Sequence, residues 1–227
     1  MALLKVTDMS HDFGGLRAVN NYHLEIESGE ICGLIGPNGA GKTTIFNLIT
    51  GIHRPTEGAI LFEGQSIVGL QPYEIAARGI SRTFQNLRLW RHMTVLDHVK
   101  MARYSKLGYG LVGALFGSGR CRRQEAAIEE KARGLLDMVG NGRFAQQMVP
   151  NIPYSAQRRV EMARALATEP KILLLDEPTA GMNPEELAQM MRIIRTVHRT
   201  LGLAIFLIEH RLKMVMERRW CDAVDGK

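Results

Sequence analysis

The sequence predicts an α/β fold in which a parallel β-sheet is covered by helices on both faces. Three observations carry that prediction. Solid aliphatic runs, Lys171-Ile172-Leu173-Leu174-Leu175 and Leu203 to Ile208, have strand length, and strands buried on both faces read as continuous apolar runs. Helix-prone segments separate these runs, as parallel crossovers require. The third is Gly36-Pro37-Asn38-Gly39-Ala40-Gly41-Lys42-Thr43, which fits G-x-x-x-x-G-K-[ST] between a β-prone run, Glu30 to Ile35, and a helix-prone one, Thr44 to Ile49.

Taken in order, residues 3–8 and about 17–27 read as strands, the second alternating through Tyr22, Leu24 and Ile26. A turn at Ser28-Gly29 leads into the strand before the glycine loop, and the helix after the loop ends near Gly51. Pro55-Thr56-Glu57-Gly58 is a turn; Ala59 to Phe62 is a short strand closed by Glu63-Gly64. Residues 72–78 read as helix and 80–84 as extended. From about Thr94 to Gly140 the chain becomes helix-prone and charged, with Gln124 to Met138 at helical spacing. Gly108, Gly110, Gly113, Gly117 and Gly119 punctuate a looser stretch, readable as a partner-facing segment or as a plain helix–helix connection. A helix is predicted over 156–168, then the aliphatic strand, then a helix over 184–200 opened by Asn183 as cap and Pro184 as first residue. Leu203 to Ile208 is the last strand, and there is no internal repeat.

The glycine loop specifies its own chemistry. Glycines let backbone N–H groups converge on an anion without Cβ clashes. The helix that follows adds the positive end of its dipole. Lys42 would reach the β- and γ-phosphates of a nucleoside triphosphate, and Thr43 would hold Mg²⁺. Gly36, Asn38, Gly39, Ala40, Gly41, Lys42, Thr43 and Thr44 are therefore the candidate nucleotide contacts.

Composition bounds the rest. The 227 residues suffice for one domain, or one domain with an insertion. A net charge of +6 suits an acidic partner, although a solvated basic face would explain it equally. Cys32, Cys121 and Cys221 are odd in number, far apart and in no metal spacing, which points to a reducing compartment. The N-terminus lacks a signal-peptide core, and no apolar run is long enough to cross a bilayer.

Asp176 and Glu177 follow directly on an aliphatic strand. A parallel strand delivers its C-terminal residues to the ligand edge of the sheet. Asp176 is thus placed to bind Mg²⁺ through the shell of Thr43. Glu177 is placed to orient or deprotonate an attacking water. An acidic pair that merely ends a strand before Pro178 is the ordinary alternative.

These residues carry a resemblance to the nucleotide-binding subunits of ABC transporters, over about residues 3–218. Phe13 lies in Phe13-Gly14-Gly15-Leu16, where the family stacks an aromatic on adenine. Gln85 lies in Arg82-Thr83-Phe84-Gln85-Asn86, at the Q-loop. Ala180-Gly181-Met182-Asn183 resembles the D-loop, and His210 stands at the switch-histidine position after Leu203–Glu209. The run from Gln157 to Leu166 resembles the helix after the family signature. Singly, Phe13 reads as core packing, Gln85 as a surface amide and His210 as a helix-cap histidine. Together, at compatible spacing, they favour the family. Ile80 to Leu89, Met93-Thr94-Val95-Leu96, Ile152-Pro153-Tyr154 and Ala180 to Glu186 are similar to subunits powering branched-chain amino-acid importers, and urea or amide importers share parts of these strings.

The resemblance implies a RecA-like P-loop NTPase core with an N-terminal antiparallel β subdomain and an inserted helical subdomain. The core would take about 1–85 and 163–227, and the helical subdomain about 86–162. It implies ATP and Mg²⁺ as ligands, with Glu177, His210 and Gln85 catalytic and Thr43, Gln85 and Asp176 around the ion. It implies a head-to-tail dimer with an identical or paralogous subunit, in which Ser155 and Asn183 reach the partner's nucleotide. Permeases in the membrane and a periplasmic or lipid-anchored substrate-binding protein complete the assembly, with this chain on the cytoplasmic face. No nucleic acid is expected, since relatives acting on nucleic acid carry coiled-coil insertions or a second cassette.

Two departures stand out. The signature, Leu-Ser-Gly-Gly-Gln or Leu-Pro-Tyr-Gly-x in the family, here reads Ile152-Pro153-Tyr154-Ser155-Ala156. Ser155 replaces a glycine that lets the helix start approach phosphate, so a subunit that binds ATP but hydrolyses it weakly is the alternative. The segment from Glu217 to Lys227 is compressed, and Arg211 stands where an acidic residue is common. A truncated tail would leave a sheet edge bare.

Overall fold

The computed structural model describes residues 2–104, 119–209 and 220–222. They belong to two compact units. The first comprises Met1–Gln85, Pro170–Gly181 and His198–Lys227; the second comprises Asn86–Glu169 and Met182–Val197.

The first unit contains two sheets. The antiparallel one has the order β2-β1-β4-β5, from β1 (Leu4–Phe13), β2 (Leu16–Ile26), β4 (Glu57–Phe62) and β5 (Gln65–Ser66). In β2 Tyr22, Leu24 and Ile26 are buried while His23 and Glu25 are exposed, the alternation that one-sided burial demands. The first strand runs on to Phe13, beyond the predicted end at Asp8. The sequence concealed this because the ladder shifts register there, with Asp8 at φ 51° and Asn21 at φ 49°. The hydroxyl of Ser10 accepts from the Asn21 backbone N–H at 2.9 Å, satisfying a donor that the bulge displaces. Gly58 crosses β1 at this irregularity; a Cβ on it would lie 2.4 Å from the Asp8 carbonyl oxygen.

The second sheet is parallel, in the order β6-β7-β8-β3-β9, from β3 (Ile31–Ile35), β6 (Ile80–Arg82), β7 (Ile172–Asp176), β8 (Ala204–Ile208) and β9 (Trp220–Asp222). Every residue of β7 and β8 is buried, as their solid aliphatic sequences require. Helix α1 (Lys42–Ile49) follows β3, and α2 (Pro72–Arg78) precedes β6. Phe46 on α1 meets Phe206 on β8 with centroids 5.0 Å apart. Burying each such ring contributes about 1.5–3 kcal/mol. The tail is not bare of structure: Trp220–Asp222 pairs with Gly33–Ile35 and covers that side of β3.

The second unit is helical: α3 (Val95–Tyr104), α4 (Gly119–Met138), α5 (Tyr154–Leu166) and most of α6 (Pro184–Leu201). Helices α3, α4 and α5 pack on one another. Ile128, Ala132 and Leu136 form the buried stripe of α4 at four-residue spacing. The amide of buried Asn141 donates to the Ala156 carbonyl at 2.8 Å, tying the chain after α4 to the first turn of α5. The glycine-punctuated stretch falls largely at 105–118, outside the described residues.

Candidate nucleotide-binding site

The phosphate loop joins β3 to α1, as its sequence context requires. Gly41 stands at φ 77°, and a Cβ there would lie 2.4 Å from the Ala18 carbonyl oxygen. Only glycine lets β2 pass this close to the start of α1. Pro37, Asn38 and Gly39 are exposed at the loop's crest, Gly36 and Ala40 are half-buried, and Thr43 and Thr44 open the helix beside it. Lys42 folds back over the loop. Its ammonium donates to the carbonyls of Gly36 and Pro37, both at 2.8 Å. Burial pushes its pKa down, while the charges of Glu177 and Asp176 act in the opposite sense. Those carboxylates thus lie close enough for Lys42 to feel them, although 134 and 135 positions separate them in the chain.

Sheet order explains the meeting. Strand β8 separates β3 from β7, so the loop and the acidic pair leave the same carboxyl edge of a parallel sheet. Asp176 is buried at the end of β7 and accepts from Nη2 of Arg82 at 2.6 Å through Oδ2. Glu177 turns out of the strand at φ 46°, a left-handed conformation uncommon for glutamate. Its N–H is held by the Ile208 carbonyl at 3.1 Å. Its Oε2 accepts from Nε2 of Gln85 at 3.0 Å. One turn on, the backbone N–H of Thr179 donates to Oε1 of buried Glu209 at 2.9 Å, and the Thr179 hydroxyl donates to the same oxygen.

Lys42, Asp176, Glu177 and Gln85 are therefore gathered in the first unit. Phe13 belongs to it as well, at the end of β1 and about half exposed, with its ring edge-on to His11 at 4.5 Å and to His53 at 5.3 Å. Ser155 and Asn183 belong to the second unit. There they share one partner. The Ser155 hydroxyl lies near the Glu186 carboxylate and is the main influence holding that carboxyl below its usual range. Asn183 and Glu186 form a reciprocal cap on α6: Glu186 N–H donates to Asn183 Oδ1 at 2.9 Å, and Asn183 N–H to Glu186 Oε2 at 3.1 Å. Pro153 occupies the N-cap position of α5 without a side-chain cap, and Ser155 lies in the first turn. His210 lies outside the described residues.

Sequence reasoning missed two groups. Arg82 passed as part of an extended run; a lone arginine between β-prone residues at a strand end was the available signal. Glu209 was overlooked beside His210; its signal was a carboxylate closing an aliphatic strand, as Asp176 does. The donor set fits a hard divalent cation: a buried carboxylate and a threonine hydroxyl at the mouth of a phosphate loop, with phosphate oxygens to complete the shell. Among the described residues no cluster of His, Cys, Asp and Glu could hold a metal without such outside oxygens.

Residues 19–180 match the family model for ABC transporters. The chain belongs to the ABC transporter family. Its core is accordingly a P-loop NTPase and the chain an ATPase. It is 43% identical over 214 residues to the high-affinity branched-chain amino acid transport ATP-binding protein LivG of Escherichia coli (strain K12), covering 94% of this chain and 84% of LivG. It is 40% identical to BraF of Pseudomonas aeruginosa, with the same coverage and the same description. The fold is similar to that of a nucleotide-free ABC transporter ATP-binding cassette, with a TM-score of 0.82 at 28% identity over 98% of this chain and 87% of that one. A dimeric ATP-binding cassette in a post-hydrolysis state, bound to ADP and Pi, has a TM-score of 0.76 at 25% identity over 92% and 89%. Among the described residues no helix of this ABC subunit is long and apolar enough to cross a membrane.

Proposed function

We propose that this chain is the ATP-hydrolysing subunit of an importer of branched-chain amino acids. The observation that carries the reading is the convergence of Lys42, Asp176, Glu177 and Gln85 at the carboxyl edge of the parallel sheet. The likeness to LivG and BraF supports the cargo. In this reading Lys42 and the loop N–H groups bind the β- and γ-phosphates, with Phe13 stacking on adenine. Thr43 and Asp176 hold Mg²⁺, with Gln85 reaching its shell; the ion, when bound, neutralises charge on the phosphates. Glu177 orients the attacking water and takes its proton. Its bond to Gln85 links that base to the chain leading into the helical unit. His210 would hold the γ-phosphate arrangement.

Two subunits would face each other head to tail, so that Ser155 and Asn183 of one address the nucleotide of the other. Hydrolysis removes the group joining them, and permeases on the inner face of the membrane read the two states. A substrate-binding protein outside would supply the cargo. The test is ATP turnover and ATP binding measured separately on purified chain, with Glu177→Gln as control. Binding retained and turnover abolished in the variant is the expected result; turnover unchanged by Glu177→Gln overturns the assignment.

A second reading, weak hydrolysis, is favoured by one observation. Ser155 places a side chain in the first turn of α5, with its hydroxyl near Glu186.

A further inference from the structure

Arg82 ends β6 with its side chain buried beside that of Asp176. Its guanidinium forks. Nη2 donates to Asp176 Oδ2 at 2.6 Å, while Nη1 donates to Asn47 Oδ1 at 2.6 Å and reaches Thr50 Oγ1 at 3.4 Å. The rings of Phe46 and Phe84 flank it, at 5.4 and 5.1 Å from Cζ. Asn47 and Phe46 lie on α1, the helix that begins with Lys42 and Thr43; Phe84 is the neighbour of Gln85. One planar cation therefore fixes the carboxylate of β7 to the helix carrying the phosphate loop. An ordinary buried ion pair needs only two partners and would spend both prongs on the carboxylate.

We propose that Arg82 is a positioning residue for the cation site: it sets the rotamer of Asp176 and its offset from Thr43. The proposal rests on the reading of Thr43 and Asp176 as Mg²⁺ ligands. Groups that orient a metal-binding carboxylate are typically worth about 10- to 100-fold in metal affinity. Lysine cannot replace this residue, because a point charge cannot span Asn47 and Asp176 in one plane.

The test is Mn²⁺ binding by electron paramagnetic resonance to the full chain loaded with ADP. Nucleotide affinity in EDTA and the melting temperature are measured alongside. Arg82→Met and Arg82→Lys are both expected to weaken Mn²⁺ by about 10-fold or more, with ADP affinity in EDTA retained. Metal affinity unchanged in Arg82→Met, or fully restored in Arg82→Lys, overturns the proposal. Should Arg82→Met fail to fold, Asn47→Leu removes the far anchor alone and is expected to weaken Mn²⁺ in the same direction; no change there also overturns it. Asp176→Asn separates the two readings. If it leaves Mn²⁺ affinity intact, the cation site itself is misassigned; if it abolishes binding while Arg82→Met does not, only the role of Arg82 fails.

Discussion

The side-chain amide of Gln85 donates to the carboxylate of Glu177 at 3.0 Å, joining residues 92 positions apart. A base held by a donor is oriented, and proton abstraction depends first on that geometry. Gln85 is also the last residue of the N-terminal segment of the first unit. Removing the base should cost about 10²–10⁴ in turnover, and removing only its holder should cost less. We expect Glu177→Gln to lower kcat by at least about 100-fold, with nucleotide affinity retained. Gln85→Ala should lower kcat by roughly 10-fold, the low end of what a misplaced catalytic group loses. Steady-state kinetics with a separate binding titration checks both. A larger loss from Gln85→Ala than from Glu177→Gln would reverse the assigned roles.

Ser155 raises a steric question that two substitutions resolve. Its hydroxyl lies near Glu186, and its Cβ stands where the family pattern has glycine. If the Cβ keeps phosphate away from the start of α5, Ser155→Gly should raise dimer-dependent turnover and Ser155→Ala should not. If the influence of the hydroxyl on Glu186 is the restraint, both should raise it. We expect the first outcome, because close approach of helix N–H groups to phosphate is limited by side-chain bulk. Turnover of the two variants at equal protein concentration decides it.

The parallel sheet was legible because burial on both faces leaves a strand no polar positions, and β7 and β8 have none before Asp176. The phosphate loop was legible because its chemistry is local: glycines, a lysine and a helix start within eight residues. The far half of β1, beyond the predicted end at Asp8, was hidden by a bulge that shifts the register while the backbone stays paired. Arg82 was hidden for a different reason. Its role depends on Asn47 and Asp176, 35 and 94 positions away, and no local pattern encodes a fork shared between them.

Thr94 tests the packing of the helical unit. It precedes α3, accepts from Asp97 N–H at 3.1 Å and donates to Asp97 Oδ2 at 2.6 Å. This satisfies an N–H that the helix start leaves without an intrahelical partner. Thr94→Ala should therefore destabilise the chain by about 1 kcal/mol and Thr94→Ser by much less. Urea unfolding of the three proteins measures the difference; equal midpoints would remove the cap from the account of α3.

His98, one residue beyond Asp97, makes stability depend on acidity. It is fully buried, its Nε2 accepts from Trp90 N–H at 2.8 Å, and its Nδ1 lies 2.8 Å from the Thr94 carbonyl. Acceptance at Nε2 leaves Nδ1 as the donor, so the ring is neutral in the folded chain. Burial pushes its pKa below 6.5; the Thr94 carbonyl and Asp97 oppose this, and Arg164 reinforces it. The unfolded chain therefore binds a proton at a higher pH than the folded one does. The neutral ring's contribution is fully present above pH 6.5 and is lost as pH falls from there toward the folded pKa. The slope in that window is at most about 1.4 kcal/mol per pH unit. His98→Phe should lower stability at pH 7.5, since Trp90 N–H loses its acceptor. It should also flatten the dependence between pH 6.5 and 5.5. Urea midpoints at the three pH values test this. Parallel curves for the two proteins would mean that groups other than His98 bind the protons on unfolding.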